Sequence, residues 1–153
     1  MSPSSQTPEA NMGLLFRQVR DAMWADMARE MAAAGHELTY SQFVTIKRLA
    51  TDSSDGVTDL ARWAQVNPGA MTRLLDKLET RGLLRRIADP GDRRALHIVL
   101  TEAGQAIWSD IQHCGERVRA RAMQGLDDGE REQLFRLLNQ VLQNLTPPTA
   151  NDD

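Results

Sequence analysis

Apolar residues recur every three or four positions through Met12, Leu15, Phe16, Val19, Met23, Met27 and Met31, which predicts a long amphipathic helix over 12–34. Gly35 stands where a helix of that length would stop. A second set, Phe43, Val44, Ile46 and Leu49, follows Thr39 and Ser41, either of which can cap the helix carrying it. "TDSSDG" at 51–56 reads as a loop by composition. Beyond it, Val57, Leu60, Ala61 and Ala64 mark one face of a short helix over 57–64.

Three residues then lead into "PGAMTRLLDKLETRG". Asn67 as cap with Pro68 in the first helical position is a strong start, because proline there sacrifices no useful N–H. Met71, Leu74, Leu75 and Leu78 stripe this helix, expected over 67–81, and Gly82 ends it. Two short helices joined by a tight turn form a helix-turn-helix. Two apolar-rich runs, "LLRRIA" and "ALHIVL", flank "DPGDRR". In the second, Leu96, Ile98 and Leu100 alternate with Ala95, His97 and Val99, so a β-hairpin wing is expected over 83–100. Thr101 can cap a further long helix bearing Ile107, Ile111, Cys114, Val118 and Ala122. "GLDDGE" interrupts it, and Leu134, Leu137, Leu138, Val141, Leu142 and Leu145 stripe a final helix.

The expected fold is therefore mainly α with a small β-hairpin: one domain over 1–153, with a winged helix-turn-helix over 39–101. The helices at 12–34 and 102–145 carry apolar stripes that one protomer has few places to bury. Packing against a second copy solves this, so they are expected to form a homodimer. Residues 1–9 and 146–153, rich in Pro, Ser, Thr and Asp, read as disordered tails.

The 153 residues carry a net charge of −3, which argues mildly against a polyanionic partner. The distribution reverses that. Between Arg62 and Arg94 eight basic residues face four acidic ones, a net +4, whereas the rest of the chain is −7. A basic middle in an acidic body is what a polyanion-binding surface would show. No apolar run reaches membrane-span length, the start has no signal-peptide core, and the single cysteine forbids an internal disulfide, so the expected compartment is the cytoplasm.

The segment Thr72-Arg73-Leu74-Leu75-Asp76, Leu78-Glu79, Gly82-Leu83-Leu84, Asp89, Asp92-Arg93-Arg94 and Leu100-Thr101 with Gly104 resembles the motif of the MarR (multiple antibiotic resistance regulator) family of transcription factors. The helix order is similar over about residues 12–145. The resemblance implies a dimeric winged-helix regulator of double-stranded DNA, most simply a repressor on a roughly palindromic operator. Its DNA affinity would be lowered by a small aromatic or phenolic ligand or by oxidation. A regulator without a ligand, or a winged helix that binds proteins, is the alternative.

On the helix expected at 67–81, Pro68, Gly69, Ala70, Thr72, Arg73, Asp76 and Lys77 fall wholly or partly outside the apolar stripe. The small residues permit close approach to base edges, Arg73 suits a bidentate guanine contact, and Thr72 and Lys77 suit phosphates. In the wing, Arg93 or Arg94 can reach a narrow minor groove. By resemblance, Asp92 braces the arginine that enters it, Arg94 being the first choice. Members of the family bind ligands between the helical and winged regions, and candidate lining residues are Arg20, Met23, Trp24, Met27, His36, Tyr40, Phe43, Lys47 and Trp63. Met and aromatic side chains make adaptable pockets, and Arg20, His36 or Lys47 could meet a carboxylate.

The peroxide-sensing members use a cysteine near the start of the first helix. Cys114 instead lies on an apolar stripe and is expected to be buried and inert. His113 and Cys114 are adjacent and would project about 100° apart on a helix, a poor pair for one metal. No phosphate loop, zinc spacing or nucleophile motif appears, so neither catalysis nor a cofactor is expected.

Overall fold

The computed structural model describes residues 11–51, 56–92, 94 and 96–146. Their order is α1 (Met12–Ala33), α2 (Tyr40–Thr51), α3 (Val57–Ala64), α4 (Pro68–Thr80), β1 (Leu84–Ala88), β2 (Leu96–Leu100), α5 (Glu102–Ala122) and α6 (Asp128–Leu145). The mainly helical architecture with one two-stranded antiparallel hairpin is the expected one. The chain divides into two compact units, one ending at Val118 and the other starting at Arg119, within α5.

The core of the first unit gathers Met27 and Met31 of α1, Ile46 and Leu49 of α2, and Leu60, Ala61 and Ala64 of α3. Met71, Leu75 and Leu78 of α4, Leu83, Leu84, Ile98, Ile111, Cys114 and Val118 complete it. The stripes of α3 and α4 thus bury where their spacing placed them. The stripe of α1 does not: Met12, Leu15, Phe16, Val19 and Met23 are exposed. Leu96 departs from its β-strand partners too. It is 57% exposed, because the far end of the hairpin projects beyond the core that Ile98 enters.

Local chemistry sets the boundaries. Thr39, rather than Ser41, caps α2: its Oγ1 accepts the Gln42 N–H (3.2 Å) while Gln42 Oε1 accepts the Thr39 N–H (3.0 Å). Asn67 Oδ1 accepts the Ala70 N–H (2.8 Å) ahead of Pro68. Gly82, with φ +73°, turns the chain from α4 into β1, a backbone region that favours glycine. Thr101 then joins three elements. Its Oγ1 donates to the Gly82 carbonyl and accepts the Gly104 N–H, and its own N–H donates to the Leu83 carbonyl.

In the second unit, Asp127 and Glu130 form a reciprocal capping box at the start of α6. Leu137, Leu138, Leu142 and Leu145 are exposed, as is Phe135, and no α6 residue is buried. Ala122, the last position of the α5 stripe, is exposed as well. The tails at 1–9 and 147–153, and residues 52–55 of the expected loop, lie outside the described residues; Thr51 closes α2. Among the described residues no helix is long and apolar enough to cross a membrane.

Candidate nucleic-acid interface

The turn Gln65-Val66-Asn67 separates α3 from α4, and Gln65 adopts the left-handed conformation (φ 56°, ψ 41°). With Met71, Leu75 and Leu78 buried, α4 turns Pro68, Gly69, Thr72, Arg73, Asp76 and Lys77 outward, and Ala70 is half-buried. Apart from half-buried Ala70, the α4 residues expected to meet DNA are therefore solvent-exposed. Their side chains differ in what they can still bond. Thr72 Oγ1 donates to the Pro68 carbonyl (3.0 Å), so its remaining capacity is as an acceptor. Arg73 and Lys77 have no hydrogen-bond or ion-pair partner among the described residues.

The hairpin pairs Leu84 with Leu100, Arg86 with Ile98 and Ala88 with Leu96. Alternation sends Leu84, Arg86, Ile98 and Leu100 to the same face, and Arg85, Ile87, His97 and Val99 to the other. Arg86 lies against α4. Its Nη2 sits 2.8 Å from Asp76 Oδ1, its Nη1 pairs with Glu79 Oε2, and its backbone N–H donates to Glu79 Oε1 (3.2 Å). These bonds fasten the wing to the helix beside it. Arg85 is exposed and has no partner among the described residues.

At the fingertip Asp89 does most of the shaping. Its Oδ1 accepts the Gly91 N–H (2.7 Å) and its Oδ2 accepts His97 Nε2–H (2.7 Å) across the hairpin. The Gly91 N–H, then the His97 bond, hold its carboxyl below the usual carboxylate range. Asp92 shapes the backbone beside it. Its Oδ1 accepts the backbone N–H of Arg94 (2.9 Å), not the guanidinium, which has no partner among the described residues. A short carboxylate reaches the amide two residues on more readily than the tip of a long side chain. Arg93 lies outside the described residues.

The expected ligand-lining residues fall into several settings. Trp24, Tyr40 and Phe43 come together, with ring centroids 5.1 Å (Trp24–Tyr40), 5.5 Å (Trp24–Phe43) and 6.4 Å (Tyr40–Phe43) apart. Met27 is buried in the core and Met23 is exposed on α1. His36 Nε2 bonds Asp110 Oδ2 of α5 (2.7 Å), while Arg20 pairs with neighbouring Asp21 (2.9 Å). Lys47 is exposed. Trp63, 54% exposed, lies under the Arg48 guanidinium at 4.6 Å. Cys114 is buried as expected, with Arg117 Nη2 3.5 Å from its sulfur.

The sequence reading missed Arg85 and Arg86. Both stood in the basic stretch, but only the strand alternation separates the outward one from the one turned to α4.

The family model described as "MarR family" matches residues 38–96, which run from the start of α2 to the wing. The HTH-type transcriptional repressor NicR of Pseudomonas putida is 28% identical over 113 residues, covering 74% of this chain and 72% of NicR. A crystal structure of the transcriptional regulator PA3341 is 33% identical, with a TM-score of 0.76, covering 88% of this chain and 97% of that one. A MarR-family regulator from Silicibacter pomeroyi is 25% identical, with the same TM-score of 0.76, over 97% of this chain and 99% of its own. Sequence, fold and the exposed basic helix-and-wing surface agree: this chain belongs to the MarR family of transcriptional regulators.

Proposed function

We propose that the protein is a repressor that binds a roughly palindromic operator as a homodimer in the cytoplasm, and that a small aromatic or phenolic ligand releases it. The observation carrying the DNA reading is the set of uncommitted cations on one helix and its wing. Arg73, Lys77, Arg85 and Arg94 are exposed and unpaired among the described residues. Cations held in internal ion pairs would add little to phosphate binding, whereas these four can each displace condensed counterions. Arg73 on α4 would read a guanine in the major groove, while Arg94 at the fingertip would enter the minor groove.

Two features support a homodimer. The outer half of α1 and most of the α6 stripe are apolar and exposed, a costly arrangement in water for a lone protomer. A two-fold dimer would present two recognition helices about one turn of DNA apart, hence the palindrome.

The aromatic cluster Trp24–Tyr40–Phe43 supports the ligand, since ring faces and edges favour planar partners. A more distant fold relative, CouR from Rhodococcus jostii RHA1, was crystallised with p-coumaroyl-CoA (TM-score 0.77, 22% identity).

The test is fluorescence anisotropy with a duplex selected by the protein from a random pool. The protein should bind in the nanomolar range with a steep salt dependence, and Arg94→Ala should weaken binding and flatten that slope. Salt-insensitive binding, or none, would overturn the DNA reading. A thermal-shift screen of aromatic acids, followed by release of the bound duplex, tests the ligand.

A further inference from the structure

The outward side of α4 carries three charges, Arg73, Asp76 and Lys77. Arg73 and Asp76 are three positions apart, close enough on a helix for a guanidinium to meet a carboxylate. This chain uses that spacing elsewhere, in the opposite order: Asp26 pairs with Arg29, Asp59 with Arg62 and Asp128 with Arg131. Arg73 makes no such pair. Asp76 is instead taken by Arg86 from the wing, whose side chain is only 21% exposed and is also held by Glu79.

We propose that Arg86 is a positioning residue for base readout: by occupying Asp76 it leaves Arg73 uncommitted. This rests on the reading that Arg73 meets DNA. Without Arg86, Asp76 becomes an unpaired carboxylate one turn from Arg73. The guanidinium is then drawn back along its own helix, and an uncompensated negative charge faces the phosphates. A residue that never touches DNA thereby sets the availability of one that does. The same bonds fix the wing to α4, so the charge role must be separated from a purely structural one.

A thermodynamic cycle on the full-length chain does this, using the duplex that the wild type selects. R86Q should weaken binding about tenfold, the scale of one good base contact. D76N should bind at least as tightly as wild type, because it removes the competitor. R86Q in the D76N background should bind within about threefold of D76N, and R86Q in the R73A background should cost little more, since coupled residues are not additive. A tenfold loss that persists in both backgrounds makes Arg86 a fold-holding residue and overturns the proposal. Circular dichroism and urea melts check each variant. Should R86Q unfold, D76N decides alone, weaker binding than wild type meaning that Asp76 does not compete. If the wild type selects no duplex, the DNA reading itself has failed.

Discussion

A Cβ placed on Gly104 would lie 2.0 Å from the carbonyl oxygen of Leu83. The first turn of α5 therefore rests directly on the backbone that leaves α4 for the wing. Gly104→Ala normally gains up to about 1 kcal/mol of helix propensity. Here the clash with backbone outweighs that, and a net loss of about 1–3 kcal/mol is expected. Urea denaturation measures it, and an unchanged midpoint would show that α5 can shift without cost.

Asp89 gives the wing an acid limit. Its carboxyl is held below the usual range by the Gly91 N–H first and His97 second. A group with a lowered pKa in the folded state contributes stability above its ordinary pKa, about 3.9, and loses it as pH falls through the lower folded value. The fingertip should thus keep its shape to below about pH 4. In NMR titrations the Gly91 amide should shift only in that acid range, and Asp89→Asn should abolish the shift.

Arg73→Ala and Lys77→Ala should differ in kind. Loss of Arg73 should cost about 1–3 kcal/mol and relax preference at one base position in each half-site. Loss of Lys77 should weaken binding to all sequences alike and reduce the salt slope. Competition with operator variants at two salt concentrations separates the two, and identical profiles would remove Arg73 from base readout.

Leu142→Lys on α6 should lower self-association and, with it, operator affinity by on the order of tenfold, since both half-sites need one dimer. Analytical ultracentrifugation should show the shift toward monomer, with the helical signal of the first unit retained. A variant still fully dimeric would place the interface elsewhere.

How much the residues disclosed depended on the range of each interaction. Asn67-Pro68 and Thr101 act within three or four positions, so those helix starts were legible, whereas the equally local Asp127–Glu130 box was passed over as a helix break. That Asp92 Oδ1 takes the Arg94 amide follows from turn geometry, which residue types alone do not disclose. The Arg86 clamp spans seven and ten positions and forms only once the hairpin folds back. His36 and Asp110, 74 positions apart, left no local trace at all. The ligand-lining set, chosen by residue type alone, mixed the aromatic cluster with a core methionine and a surface tryptophan.

The left-handed Gln65 lets the turn between α3 and α4 form without a glycine. A non-glycine residue in that conformation loses roughly 1–2 kcal/mol in the folded state. Glycine would relieve this but would enlarge the unfolded ensemble, at a cost of about 0.4–1 kcal/mol. The first cost is the larger, so Gln65→Gly should stabilise the protein by up to about 1.5 kcal/mol. Position 65 therefore holds its bend with glutamine at a small loss of stability, and an indispensable bend can persist in a sequence that does not spell it.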